Sequence, residues 1–121
     1  MPLDFLPLPG TSVEELDTPV LIIDLPVMER NIETLHSYFA QRPAKVRPHI
    51  KSHKSPILAH RQLEAGETVG GICCAKVGEA EVMVLNGIKD VFIANEIVTR
   101  SKIARLISLA HDADMMVAVD D

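Results

Sequence analysis

The chain has 121 residues, which is enough for one modest domain. Its formal net charge of −5 is opposite in sign to that of a general nucleic-acid-binding surface. Apolar residues make up 47% and charged residues 24%, as in an ordinary globular domain. No stretch approaches the roughly 20 apolar residues of a membrane span, and the N-terminus lacks a secretory signal pattern, so we expect no membrane association.

The two cysteines, Cys73 and Cys74, are adjacent in the sequence. Neighbouring cysteines reach disulfide geometry only with strain, so we expect reduced thiols that pack as small apolar residues. Reduced thiols and the lack of a targeting signal together predict a cytoplasmic protein.

The N-terminal region contains several prolines and little periodicity, and we expect an extended arm over residues 1–17. A short run rich in β-branched residues follows at 19–24 and predicts a first strand. Pro26 suits the first turn of a helix that would end near Ala40. The apolar positions of this helix share one face: Met28, Ile32, Leu35 and Phe39.

Strand and helix patterns alternate along the rest of the chain. Further strands are predicted at 45–51, 69–75, 90–95 and 115–119. Further helices are predicted at 56–65, 77–86 and 101–111. This alternation indicates crossover units and a parallel α/β sheet, either open and doubly wound or part of a (β/α)8 barrel.

Both architectures bind ligands at the carboxyl ends of their strands. The predicted strand ends are polar or reactive: Lys51–His53, Cys74–Lys76, Asn95–Glu96 and Asp120–Asp121. Gly70 and Gly71 precede one of these ends and suggest a close approach by another segment of backbone. The helical histidines are expected at the surface: His36, His60 and His111.

The densest polar run in the chain is 47–55, at the end of the second predicted strand. Side chains alternate across a strand, which places four basic residues on one face: Arg47, His49, Lys51 and His53. A positive and partly desolvated surrounding favours the neutral amine of a lysine, which is a nucleophile towards carbonyl groups. Lys51 is therefore a candidate for a Schiff-base lysine.

Two other interpretations of the basic run stay open at this point. The first is a loop of solvated cations with no specific ligand. The second is a metal site formed by His49 and His53, although their spacing suits a helix better than a strand end and no carboxylate lies beside them in the sequence.

Four segments resemble the D-threonine aldolase and D-serine dehydratase group of the alanine-racemase-like, pyridoxal-phosphate-dependent barrel family. They are Asp17–Pro19 with Ile23–Leu25 and Arg30–Asn31, then Arg47–Lys54, Cys74–Glu81 and Ile93–Glu96. Members of this group are roughly three times as long as this chain. The resemblance therefore implies the N-terminal half of a TIM-type barrel, with residues 18–121 as a partial cofactor-binding barrel domain and the strand at 19–24 joining a C-terminal β domain.

The resemblance also implies the roles of individual residues. Lys51 matches the lysine that forms a Schiff base with pyridoxal 5′-phosphate, and His53 is a further candidate for contact with this cofactor. No metal ligand is assigned to any position here, although a divalent metal is expected in the full-length parent. That parent is expected to be a homodimer.

The implied activity is that of a lyase that splits β-hydroxy-D-amino acids into glycine and an aldehyde. A D-serine dehydratase, an amino-acid racemase of the same fold and a non-catalytic carrier of pyridoxal phosphate remain as alternatives. We expect the 121-residue chain by itself to be inactive, and to be poorly soluble or to pair with itself.

Overall fold

Helices and strands alternate from the second helix onward in the computed structural model, which describes residues 6–120. Residues 1–5 of the predicted arm and Asp121 of the last predicted strand end lie outside this range. A short 3-10 helix (Val13–Glu15) precedes four helices: α1 (Leu25–Ala40), α2 (Pro56–Glu64), α3 (Val77–Leu85) and α4 (Arg100–Leu109). The three strands are β1 (Ile72–Cys74), β2 (Asp90–Ile93) and β3 (Asp114–Val117).

Helix ends follow capping residues that are visible in the sequence. The side chain of Asp24 accepts the Val27 N–H at 3.0 Å and begins α1. Ser55 accepts the Leu58 N–H at 3.4 Å and begins α2. Gly66, at φ 82°, follows α2 in the left-handed region that glycine adopts readily. The four predicted helices are therefore confirmed, with ends within two residues of the expected ones.

The three strands are parallel and follow one another in the order β1-β2-β3. One register row joins Cys73 to Phe92 and Phe92 to Met116. A doubly wound sheet reverses its strand order at a switch point, whereas a barrel wall adds each strand beside the previous one. The sequential order is the one expected for a barrel wall, and over three strands one half of a doubly wound sheet has the same order.

The core lies between one face of this sheet and the helices. Ile72 and Cys74 of β1 and Val91 and Ile93 of β2 are completely or almost completely buried on that face. They pack in a single cluster with residues of the helices and loops, including Ile50, Ala59, Val77, Ala80, Met83, Val84 and Leu109. On the other face, Phe92 is only half-buried and Met116 is exposed. The prediction of apolar strands was correct, but only one sheet face is covered by described residues.

The first strand predicted at 19–24 does not form within the described residues, and the β domain expected to pair with it is not among them. Residues 19–24 have no strand assignment, and Leu21 is 98% exposed. A strand is stabilised by hydrogen bonds to a neighbouring strand, and within residues 6–120 none pairs with this segment. Its apolar composition favours a strand, but composition does not supply the partner.

The strand predicted at 45–51 is reduced to two isolated parallel bridges, Val46 with Thr68 and His49 with Cys73. Between the two bridges the chain advances three residues on one side, from Val46 to His49, and five on the other, from Thr68 to Cys73. The second segment therefore bulges between the bridges. Pro48 has no N–H to donate to a ladder, and Gly70 lies in the bulge at φ 84°. Pairing ends at His49, and a turn follows.

His36 was predicted at the surface, but it is buried, with 4% of its area exposed. Its Nδ1 lies within hydrogen-bond distance of the Gly66 carbonyl oxygen, just after α2. Because a carbonyl can only accept, Nδ1 carries the proton in this contact. The helical pattern did not reveal that α1 meets the end of α2 at this residue.

The cap of α4 gives a prediction about stability. The Thr99 hydroxyl accepts the Lys102 N–H at 3.4 Å. Thr99→Ala is expected to lower the free energy of unfolding by about 1 kcal/mol, because one free N–H of the first turn loses its acceptor. Thr99→Ser keeps the hydroxyl and is the control. Urea denaturation measures both, and equal losses in the two variants would contradict a capping role.

Candidate functional site

Lys51 lies in a turn at residues 50–53, immediately beyond the bridge at His49. The turn is anchored by Ile50, which is fully buried. Its N–H donates to the Cys73 carbonyl at 2.9 Å, and its carbonyl accepts the Lys54 N–H at 2.8 Å. The predicted desolvation of Lys51 is wrong for the described residues: the side chain is exposed, because the turn carries it past the edge of the sheet.

The two histidines beside Lys51 make the same kind of local hydrogen bond. His49 Nδ1 accepts the N–H of Lys51 at 3.3 Å. His53 Nδ1 accepts the N–H of Ser55 at 3.1 Å. The other ring nitrogen of His53 lies 3.2 Å from Gln62 Oε1 on α2. A main-chain N–H can only donate, so both Nδ1 atoms are unprotonated and the neutral rings carry their proton at Nε2.

Arg47 forms an ion pair that crosses the sheet. Its Nη1 lies 2.7 Å from Asp90 Oδ1, its Nη2 lies 3.2 Å from Asp90 Oδ2, and Nη1 also donates to the Ile72 carbonyl at 3.3 Å. Both side chains are about three-quarters buried. Two parallel hydrogen bonds give the pair a fixed geometry, so the segment that leads to Lys51 is tied to β2.

Gly71 lies where this ion pair passes. A Cβ at this position would be 2.3 Å from Asp90 Cγ and 2.5 Å from Arg47 Nη1. The predicted close approach of backbone is therefore wrong: side chains approach Gly71, and no described residue beyond its chain neighbours lies within 4 Å of a Cβ at Gly70. Asp90 was not among the predicted site residues, since only the fold brings it within reach of Arg47.

Lys54 and Glu79 join the turn to the start of α3. Lys54 Nζ lies 3.5 Å from Glu79 Oε1, and the Ala75 N–H donates to Glu79 Oε2 at 2.8 Å. The Glu79 side chain is only 9% exposed, so its hydrogen bond to the main chain helps to offset the desolvation of its charge. Lys54 itself is mostly exposed, so it forms a loose ion pair with this carboxylate.

Both cysteines are free thiols and buried, as the sequence predicted. Burial raises the pKa of Cys74 to about 12, and the nearby Glu79 carboxylate acts in the same direction. Burial also raises the pKa of Cys73, although Arg47 and Lys51 oppose this increase. Neither thiol is a nucleophile at neutral pH, because the thiolate is the reactive form.

The other predicted strand ends contribute less to the site. Asn95 Nδ2 donates to the Ala75 carbonyl at 3.5 Å, while Lys76, Glu96 and Asp120 are exposed. Within residues 6–120, no group of three or more histidines, cysteines and carboxylates could hold a metal ion. A site made by His49 and His53 through Nδ1 would require both main-chain hydrogen bonds to break. No helix in the described part of the chain is long and apolar enough to cross a membrane.

Comparisons with known proteins identify the family of the chain and a solved structure with the same fold. The family model described as "Alanine racemase, N-terminal domain" matches residues 23–121. The chain is 42% identical over 113 residues to a D-threonine aldolase of Arthrobacter sp., covering 93% of this chain and 29% of that protein. It is 42% identical over 119 residues to a 3-hydroxy-D-aspartate aldolase of Paracoccus denitrificans, covering 98% of this chain and 30% of that protein.

The crystal structure of D-threonine aldolase from Filomicrobium marinum superposes with a TM-score of 0.84 at 50% identity, covering 90% of this chain and 29% of that chain. At that identity, the similarity extends to sequence as well as to fold. The chain spans about 30% of the length of the relatives that it matches, and it corresponds to their N-terminal part.

Proposed function

The chain belongs to the alanine racemase N-terminal domain family, and from this membership we propose that it is the N-terminal segment of a pyridoxal-phosphate-dependent lyase. The proposed reaction splits a β-hydroxy-D-amino acid into glycine and an aldehyde. The observation that carries this proposal is 42% identity to D-threonine aldolase over 93% of the chain.

Lys51 is the residue that we propose holds the cofactor covalently. The other cations of this segment form ion pairs, Arg47 with Asp90 and Lys54 with Glu79. No carboxylate among residues 6–120 lies within ion-pair distance of Lys51 Nζ. Its exposed amine thus fits the need for a primary amine that can react with an aldehyde group.

When it is bound, pyridoxal phosphate supplies an electron sink for the bond that breaks at the substrate α-carbon. The chain's own contribution is to present the Lys51 amine at the rim of the sheet and to accept or donate a proton there. The turn anchored at Ile50 fixes the main chain from which the Lys51 side chain extends. The ion pair between Arg47 and Asp90 attaches the preceding segment to the sheet.

Further features of the full-length protein follow from the same proposal. We propose a cytoplasmic homodimer in which residues 1–17 form an arm and residues 18–121 form part of the barrel. A divalent metal in this protein would take its ligands from residues beyond those described here. His53 stays a predicted cofactor contact, and a hydrogen bond from its Nε2 to the cofactor would replace the one to Gln62.

Product analysis with the full-length protein tests the proposed reaction. D-Threonine is expected to give glycine and acetaldehyde in equal amounts without ammonia, and the 121-residue chain alone is expected to give neither. Ammonia with a 2-oxo acid would instead identify a dehydratase, and L-allothreonine, which differs from D-threonine only at the α-carbon, would identify a racemase. Bound cofactor without turnover of D-threonine, D-serine or 3-hydroxy-D-aspartate would identify a carrier, and each of these three results would overturn the proposal.

A further inference from the structure

Two imidazoles flank Lys51 and repeat one hydrogen-bond pattern. In each case Nδ1 of a histidine accepts the main-chain N–H two residues later, from Lys51 in the first and from Ser55 in the second. Asparagine and aspartate make this kind of local turn with a side-chain oxygen. Here the acceptor is a ring nitrogen, and the lysine lies midway between the two rings in the sequence.

Each end of this turn is also attached to a different part of the fold. At the first end, His49 is bridged to Cys73 of β1. At the second end, the remaining ring nitrogen of His53 contacts Gln62 of α2 at 3.2 Å. The sheet therefore holds the main chain of His49, α2 holds the ring of His53, and each ring accepts a main-chain N–H of the turn or of its exit.

We propose that His49 and His53 are positioning residues that fix the main chain of the Lys51 turn through Nδ1. This inference rests on the proposed role of Lys51 and adds the means by which its amine is aimed. A lysine side chain has several rotatable bonds, and Lys51 is exposed, so packing does little to restrict it. Fixing its main chain reduces the number of positions that the amine can occupy. The amine therefore meets the cofactor aldehyde more often, and the bond forms faster.

The test distinguishes the effect of the hydrogen-bond acceptor from the effect of the size of the ring. In His49→Asn, the Oδ1 atom lies at the same number of bonds from the main chain as Nδ1 and can accept the Lys51 N–H. His49→Phe keeps a ring but has no acceptor. His111→Phe makes the same substitution at an exposed residue far along the chain and is the matched control.

The measurement is the rate at which the full-length apoenzyme captures pyridoxal phosphate on Lys51, followed by borohydride trapping and peptide mass analysis. His49→Phe is expected to slow capture by about tenfold or more, while His49→Asn stays within about twofold of the unmodified protein. His111→Phe is expected to have no effect. Equal slowing in both His49 variants, or unchanged capture in both, would overturn the proposal. His53→Phe is likewise expected to slow capture, but His53→Asn is not a matched control, because asparagine lacks the second ring nitrogen that contacts Gln62.

A second measurement does not depend on any variant folding. Nitrogen NMR of the full-length protein labelled in its histidines reports which ring nitrogen carries the proton. Both rings are expected to be neutral and protonated at Nε2, and a proton on Nδ1 of either ring at neutral pH would contradict the inference. Failure to trap any cofactor on Lys51 in the unmodified protein would overturn the proposed function. The NMR experiment tests the proposed role of the two histidines independently of that result.

Discussion

Replacing Lys51 with alanine in the full-length protein is expected to abolish covalent attachment of the cofactor. Turnover is expected to fall by roughly 10²- to 10⁴-fold, the range for losing a positioned acid–base group. The prediction rests on the resemblance that assigns this role to Lys51 and on its exposed amine at the sheet rim, which has no carboxylate partner among the described residues. Borohydride reduction followed by peptide mass analysis would show the attachment.

Two controls make this prediction specific. Lys51→Arg keeps the positive charge but not the primary amine, so attachment should be lost as completely as with alanine. Lys54→Ala removes a lysine three residues away that is paired with Glu79, and attachment should survive. A reduced cofactor found on another lysine in the unmodified protein would show that the assignment of Lys51 is incorrect.

The parts of the fold that the sequence predicted are those that depend on nearby residues. The first helix begins where Pro26 predicts, and the structure adds Asp24 as its cap; the groups that begin a helix lie within four residues of each other. The strand predicted at 19–24 failed for the opposite reason. Its partner would have to come from elsewhere, and no local pattern specifies one.

The candidate site also has a part that the sequence predicted and a part that it did not predict. Strand order and the resemblance predicted Lys51, and the structure places it at the sheet rim. Two of its supporting interactions could not be predicted in this way. Asp90 is 43 residues from Arg47, and the pairing of His53 with Gln62 requires α2 to fold back beside the turn. The hydrogen bonds of the two Nδ1 atoms depend on turn geometry, which a strand prediction through residue 51 excluded.

Replacing Gly71 with alanine is expected to destabilise the full-length protein by about 1–3 kcal/mol, the usual cost of overpacking. The added Cβ would lie 2.3 Å from Asp90 Cγ, well inside any normal contact. The ion pair between Arg47 and Asp90 would have to move, and both groups are largely buried. The free energy of unfolding from urea denaturation measures the loss.

Gly78→Ala is the matched control for this change. A Cβ at Gly78 would lie 3.6 Å from Arg105 Nη2, which is an ordinary contact, and alanine favours the helix there. This variant is expected to be as stable as the unmodified protein or slightly more stable. A loss equal to that of Gly71→Ala would show that the clash at Gly71 is not the cause.

A double-mutant cycle with Asp90→Ala identifies the atoms responsible. Removing the Asp90 carboxylate takes away the closest atoms, so Gly71→Ala should cost less in that background than alone. Because Arg47 precedes Lys51 by four residues on the same segment, Gly71→Ala should also slow cofactor capture on Lys51. Additive stability losses, together with unchanged capture, would show that the ion pair neither meets the added methyl group nor transmits its displacement to the turn.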